Sequence, residues 1–395
     1  MPEAYLVGAG QSDFGSFPDE SYRSLFRTAY EDAIDSVPNG LDPELIDEAV
    51  IGTLGVGGRQ LGLSGPAVTE HLGLHGIPCT RVENACAAGG YAVRQAVMAV
   101  KSGMADVVLA GGVEIMTDVS GDSVRFWLGV SGETEWERLS GTTFAGVYAQ
   151  MARAHMEQYD TTTEQLSRVA VKNHSNGADN PHAQLRFECT LEDAENAPTV
   201  AAPLNLYHCC PTSDGAACAL VVSEDVVKQF TDEPIRIAGV GAASDSVGLF
   251  QRPTYTSIPA SKRAGADAYA MADIDPTALD FAEVHDCFEI AELLAYEDLG
   301  FCQPGNAGAM IEHGDTARDG TLPVNTSGGL KSKGHPIGAT GTGQVVEAFK
   351  QLSGTAGERQ LETPTYGLTH NVGGSGGAAV VHIFERERAT DGDRR

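Results

Sequence analysis

The chain is short of lysine, of tryptophan and of long apolar runs, and these shortages narrow the possible functions. Lysine occurs only as Lys101, Lys172, Lys228, Lys262, Lys331, Lys333 and Lys350. Basic residues number 26 against 54 acidic ones, a formal charge of −28. A field of that sign repels nucleic acid and anionic membrane surfaces, so neither is expected as a partner. An acidic, lysine-poor surface also fits a halophilic protein, because high salt screens the repulsion within a few Å. No apolar run approaches the ~20 residues a membrane helix needs. Met1-Pro2-Glu3 lacks a basic n-region and leads straight into a strand pattern, so no signal peptide is expected and a cytoplasmic location is. The eight cysteines include no CxxC pair, and Cys209-Cys210 are poorly spaced for chelating one ion. Reduced thiols, with no metal and no disulfide framework, are therefore expected.

What is present is a chain of 395 residues, 42% hydrophobic, long enough for two fused domains. Strand patterns at 4–7, 48–52, 79–83 and 105–110 alternate with helical ones at 21–37, 66–74 and 91–101, which argues for α/β layering. Gly8-Ala9-Gly10 resembles the start of a dinucleotide-binding loop, but Asp13 stands where a third glycine is needed. Residues 120–200 are polar and irregular, apart from a helix-like run at 145–159, and read as an inserted loop region. Strand composition returns at 214–222. From Pro234 the order repeats, with Ile235 to Gly241 echoing Tyr5 to Gly10. A helical segment around 269–271, strands at 281–284 and 378–384, and a helix at 334–352 complete the second copy. This is an internal duplication. Its halves are 1–117 with 201–233, and 234–385, separated by the insert 118–200 and followed by a polar tail, 386–395.

The duplication aligns Gly334-His335-Pro336 with Ala85-Cys86-Ala87. Cys86 sits where an extended segment enters a helix, and the helix dipole there favours a thiolate. Taken alone, a cysteine in such a run is more often a packed structural thiol. Three other stretches supply what a nucleophilic thiol requires. Asn325 to Gly341 is a glycine-rich loop, without P-loop spacing, that carries His335 to a helix entry, where an imidazole can take a thiol proton. Ala282 to Glu289 places His285 and Cys287 two apart, on one face of an extended segment. Thr369 to Gly377 is glycine-rich enough for backbone N–H groups to approach a ligand.

The chain resembles a thiolase of the sterol-carrier-protein type, and most of all the archaeal acetyl-CoA acetyltransferases of that branch. The resemblance covers nearly the whole length. It rests on ENACAAGGYA around Cys86, GGVEIMT, SDGAACALVVSE, EVHDCFEIAELLAYEDLGFC, NTSGGLKSKGHPIGATGTGQ and GLTHNVGGSGGAAVVHIF. It implies duplicated βαβαβαββ halves stacked as a five-layer αβαβα sandwich with an inserted loop domain. It further implies that Cys86 is the nucleophile and that His335 takes its proton. His335 would form one oxyanion hole with His285 and a water, and Cys287 would be the acid/base. The backbone N–H groups of Cys86 and Gly374 would form a second hole. Commoner thiolases carry the acid/base cysteine in the final glycine-rich loop, where this chain has Asn371, and Asn-Glu-Ala-Phe where it has His285-Asp286-Cys287-Phe288.

The implied activity is that of an acetyl-CoA C-acetyltransferase, condensing two acetyl-CoA to acetoacetyl-CoA and CoA through acyl-Cys86 by ping-pong kinetics. It would feed isoprenoid synthesis by the mevalonate route, or polymer synthesis. An oxyanion donor is worth roughly 3 kcal/mol, so two holes supply much of what enolate formation needs without cofactor or metal. CoA is a polyanion, so a local basic patch is expected, to which Lys331 and Lys333 contribute. The alternatives are a degradative 3-oxoacyl-CoA thiolase of longer chains, or an acyl-CoA-binding subunit that needs an accessory protein. A homodimer or homotetramer is expected. The resemblance also admits an OB-fold, zinc-ribbon accessory protein and hydroxymethylglutaryl-CoA synthase as partners.

Overall fold

The computed structural model describes residues 2–58 and 60–387. The first half runs β1 (Ala4–Gln11), α1 (Tyr22–Asp35), β2 (Glu48–Gly52), α2 (Ser64–Leu72), β3 (Cys79–Val82), α3 (Ala88–Lys101) and β4 (Val107–Glu114). The segment that follows holds α4 (Gly121–Gly129), α5 (Phe144–Tyr159), α6 (Thr163–Ala178), α7 (Leu191–Glu195) and a small hairpin, β5 (Thr199–Ala201) with β6 (Leu204–Asn205). β7 (Gly215–Ser223) closes the half. The second half comprises β8 (Ile235–Ser244), α8 (Pro259–Ala272), β9 (Phe281–Glu283), α9 (Glu289–Asp298), α10 (Ala307–Glu312), α11 (Gly329–Ser332), α12 (Thr340–Ser353), β10 (Tyr366–Gly373) and β11 (Ala378–Arg386).

Among the described residues, nine strands join in the order β3-β2-β4-β7-β1-β8-β11-β10-β9. Read outward from the antiparallel β1–β8 junction at Tyr5–Arg236 and Leu6–Ile235, the two halves repeat the same order. The second half has only an isolated bridge, Ala282 to Val324, where the first has β3. The layering follows from three apolar clusters. Leu25, Phe26, Ala29 and Ala33 of α1 cover one outer face. Ala92, Val93, Ala96 and Val97 of α3 share the central cluster with Val345, Val346 and Phe349 of α12. Ala260, Ala264 and Ala268 of α8 cover the other outer face. Both central helices are apolar on more than one side because each is covered by its partner and by strands.

Several sequence expectations change. The strand at 105–110 continues through Gly111 and Gly112 to Glu114, and the glycine-rich stretch at 369–377 is a strand as far as Gly373. The helix expected from 334 begins only at Thr340, after a turn. The segment read as irregular loop is largely helical, with side-chain caps from Thr143 and Thr162 on α5 and α6. Tyr148, Met151, Leu166 and Val169 of those helices enter the second half's core beside Leu293 and Tyr296. Its sequence reads as polar because helices lying on a preformed core need only one apolar stripe. Residues 388–395 of the expected polar tail lie outside the described residues.

The two halves also touch backbone to backbone. A Cβ at Gly112 would lie 1.9 Å from the Gly338 carbonyl oxygen, and one at Gly341 would lie 2.3 Å from the Gly90 nitrogen. The glycines flanking Cys86 and His335 thus serve close packing of the two helix entries, rather than clearance for a substrate. Gly112→Ala is expected to lower stability by about 1–3 kcal/mol, because the overlap is with backbone and outweighs the gain of up to ~1 kcal/mol from replacing a strand glycine. Gly121→Ala, whose added carbon meets nothing within 4 Å, is the control. Denaturant midpoints should separate the two, and an unchanged midpoint for Gly112→Ala would contradict the packing.

Candidate active site

Cys86 lies two residues before α3, in a turn that Ala85 enters at φ +51°. A non-glycine residue there costs on the order of 1–2 kcal/mol, which the Ala85 N–H partly offsets by donating to Glu83 Oε1 at 2.6 Å. The strained turn projects the thiol toward the second half. There, one ligand atom from each of Cys86, His285 and His335 lies within 4.8 Å of the others. The two imidazole rings meet edge to face, 5.2 Å between centroids at 82°. The backbone N–H groups of Gly374 and of Cys86 itself reach the Cys86 sulfur. Gly374 has φ +62°, and a Cβ there would lie 2.6 Å from the Ser131 carbonyl, so only glycine fits.

Hydrogen bonds give the two histidines opposite tautomers. Thr340 Oγ1 donates to the Pro336 carbonyl (3.0 Å), so it accepts from His335 Nδ1 at 2.6 Å. His335 therefore keeps a bare Nε2 and is built as a base. Asn371 accepts the Gly90 N–H at Oδ1 (3.3 Å), which orients its amide nitrogen toward the Cys86 carbonyl (3.0 Å) and His285 Nδ1 (3.2 Å). His285 Nδ1 must then accept, leaving the proton on Nε2, which is buried and meets no partner among the described residues. It is a donor in search of an acceptor. A cysteine and two histidines at this spacing could also ligate a metal, but His285 offers it a protonated nitrogen.

Burial governs the charge of every group here. It pulls His335 down to about 3 and His285 well below the usual imidazole range, so both rings are neutral. It pushes the Cys86 thiol up to about 12, against the opposing N–H groups of Gly374 and Cys86. The expectation of a dipole-stabilised thiolate is thus overturned. A helix terminus contributes roughly 0.3–1 kcal/mol, less than one pKa unit, while desolvation of a buried group moves pKa by several.

Cys287, between β9 and α9, is buried and also held as a thiol, chiefly by desolvation and further by the nearby Cys86. The Tyr148 hydroxyl and the Phe288 N–H oppose that rise. Behind it Asp286 accepts the N–H groups of Leu330 (2.7 Å) and Lys331 (3.1 Å), tying the His285–Cys287 segment to the loop that carries His335. Thr340, Asn371 and Tyr148 were missed from sequence as functional residues. A hydroxyl five residues after His335, at a helix entry, was a usable signal for Thr340; Tyr148 had none, since it comes from the insert.

The two lysines expected to meet CoA phosphates are elsewhere. Lys331 is buried, donating to the carbonyls of Cys209 (2.9 Å) and Leu206 (3.4 Å). Lys333 is 1% exposed, donates to the Gly343 carbonyl (3.2 Å) and lies 3.8 Å from Glu283. Their ammonium groups are needed inside because buried acids surround them; an unpaired buried carboxylate costs several kcal/mol.

Asp286, Glu289 and Glu292 converge in this interior, with ligand oxygens within 4.8 Å of one another. Glu292 receives Lys172, Tyr296, Asn173 and Asn325, whereas neither Glu289 oxygen meets a partner among the described residues. Burial, then Asp286 and Glu292, raise the Glu289 carboxyl well above its ordinary range. A carboxyl whose folded pKa exceeds its unfolded value of ~4.3 holds a proton that the unfolded chain releases, so stability falls as pH rises past that value. Glu289→Gln should therefore gain thermal stability over wild type at pH 8, with the advantage shrinking toward pH 4. A difference independent of pH would contradict the burial of an unpartnered acid.

Residues 4–225 match the thiolase N-terminal domain and residues 241–386 the thiolase C-terminal domain-like family. Acetyl-CoA acetyltransferase of Methanothermobacter thermautotrophicus is 43% identical over 98% of this chain and all of its own length. Sterol carrier protein 2 of Rattus norvegicus is 33% identical over 97% of this chain and 72% of its own. Among solved structures, the Ltp2-ChsH2(DUF35) aldolase superposes with a TM-score of 0.84 at 28% identity, covering 98% of this chain and 99% of that one. Human mitochondrial 3-ketoacyl-CoA thiolase in complex with CoA superposes at 0.75 with 17% identity, covering 98% of both chains, a likeness of fold alone. Among the described residues no helix is long and apolar enough to cross a membrane. The chain belongs to the thiolase superfamily and is an acyltransferase of the branch that holds the archaeal acetyl-CoA acetyltransferases and sterol carrier protein 2.

Proposed function

We propose that the chain condenses two acetyl-CoA into acetoacetyl-CoA and CoA, reversibly, through an acetyl thioester on Cys86. The observation that carries this reading is the convergence of the Cys86 thiol, the bare Nε2 of a neutral His335 and the Nε2–H of His285. Because Cys86 is a thiol at rest, its proton passes to His335 as sulfur attacks the acetyl carbonyl. The oxygen that gains charge is met by the N–H groups of Cys86 and Gly374, which already point at the sulfur. CoA leaves as its sulfur takes the proton back from His335.

The second acetyl-CoA then meets a different set of donors. Its thioester oxygen faces His285 Nε2–H. Cys287 first gives its own proton to the His335 Nε2 left bare when CoA departs, and as a thiolate it then removes the α-proton while enolate charge develops on that oxygen. The order of steps has an electrostatic basis. A Cys86 thiolate would oppose ionisation of Cys287, whereas a neutral acetyl-Cys86 does not. Attack of the enolate carbon on acetyl-Cys86 forms the new C–C bond; collapse of the tetrahedral adduct breaks the C–S bond and frees Cys86 as a thiolate, which takes the proton back from His335.

The likeness to an aldolase favours a second reading, cleavage of a carbon–carbon bond without a covalent intermediate. Aldol cleavage has no need of a thiol set between a base and two backbone donors, so formation of the thioester separates the two. Mass spectrometry after mixing with acetyl-CoA should locate one acetyl group on Cys86. Cys86→Ala should abolish both this adduct and acetoacetyl-CoA thiolysis; unchanged turnover would defeat the mechanism. Cys287→Ala should still acylate Cys86 but lose at least 100-fold in condensation, the lower range for a removed acid/base group. The same assays over a series of acyl lengths, with and without an OB-fold accessory protein, read chain preference and any dependence on a partner.

A further inference from the structure

Tyr148, a side chain of the insert, reaches the glycine turn at Gly374 and packs beside the Cys287–Phe288 segment. It lies on α5, is fully buried, and stacks on Phe288 with 4.6 Å between ring centroids and 25° between planes. Its hydroxyl donates to the Gly374 carbonyl at 3.2 Å and lies near enough to Cys287 to oppose the rise of that thiol's pKa. A buried phenol needs a polar partner, and one carbonyl would satisfy it. This hydroxyl has a carbonyl and a thiol together. Its single proton can rest on the Gly374 oxygen while Cys287 is a thiol, and turn to the sulfur when that sulfur becomes an anion. The Phe288 N–H also favours ionisation of Cys287, while burial and the nearby Cys86 and Asp286 oppose it.

Resting on the reading of Cys287 as the acid/base, we propose that Tyr148 is its positioning residue. The phenol holds the thiol above acetyl-Cys86 and supplies the hydrogen bond the sulfur needs while it takes the α-proton. The stacked Phe288, adjacent to Cys287 in the chain, fixes ring and thiol as one unit. The step is a proton transfer alone: the α-carbon loses a proton, Cys287 gains it, and the electron pair passes to the enolate. The phenol keeps its own proton throughout.

Tyr148→Phe keeps the stack and removes the hydroxyl. Acetylation of Cys86 by acetyl-CoA, followed by mass, should proceed at the wild-type rate, with an unchanged KM for acetyl-CoA. Condensation kcat should fall about 10- to 100-fold, the range for losing a hydrogen bond to a charged group. The pH at which kcat reaches its plateau should move upward, because the hydrogen bond that lowers the Cys287 pKa is gone. In a Cys287→Ala background the same substitution should add nothing. Tyr148→Met, which fills the space without a hydroxyl, is the second variant should Tyr148→Phe not fold. Equal losses of acylation and condensation, or an unshifted pH profile, would make Tyr148 a packing residue and overturn the proposal. Failure of wild type to acetylate Cys86 would instead defeat the underlying reading of the function.

Discussion

The contact on which the rest of the structure depends is the close approach of two helix entries through glycines. Gly90 meets Gly341, and Gly112 of β4 meets the Gly338 carbonyl, at distances no Cβ allows. This is how a duplicated fold brings two unlike loops to one place. Each half leads into its central helix through a turn, the first carrying a thiol two residues before α3 and the second an imidazole five residues before α12. A pseudo-twofold relation makes those entries face each other, and glycine lets them close until Cys86 and His335 are within reach. Any side chain at these positions would separate the halves by more than a proton transfer tolerates.

Closing the halves also removes water, and that decides the charge state of the site. Both imidazoles are neutral and both cysteines are thiols. The site therefore works with neutral reagents whose protons are directed in advance. Thr340 sets His335 as an acceptor and Asn371 sets His285 as a donor, so two residues of one type take opposite roles through one hydrogen bond each. Asn371 also holds the Cys86 carbonyl and the Gly90 N–H, which links the Cys86 turn to the orientation of His285. Where commoner thiolases keep a cysteine, this chain has an amide that bonds to three neighbours at once.

Much of this was legible from residues in sequence. The duplication showed in the echo of Tyr5–Gly10 by Ile235–Gly241, but the expected match of His335 with Cys86 is out of register, since Cys86 stands two residues before α3 and His335 five before α12. Strand and helix patterns were read within a few residues where periodicity was long, as for α1 and β2. The failures have physical causes. The run at 145–159 was read as helical and is α5, but α6 was read as irregular because its stability comes from packing on the second half's core. A thiolate at Cys86 was inferred from a local dipole, while desolvation, a property of the assembled site, is larger. Lys331 and Lys333 were taken for surface cations because sequence shows the −28 net charge but not which acids are buried beside them.

Those buried acids bear on how an acidic protein handles a polyanionic substrate. Lys172 meets Glu292, Lys333 lies near Glu283, and Arg359 pairs with Glu347 at 2.9 Å. Each cation is held inside by a carboxylate it cannot leave, since separating a buried pair costs about 3–5 kcal/mol. With so few lysines in the chain, the positive charge available to CoA phosphates is small. Attraction at long range then contributes little to capture, and high ionic strength would weaken repulsion between like-charged protein and substrate rather than any attraction. Binding has to rest on contacts made after approach, through backbone N–H groups, arginines and apolar surface. The catalytic groups follow the same principle: they act through short, fixed hydrogen bonds in a dry interior, where distance and direction matter more than net charge.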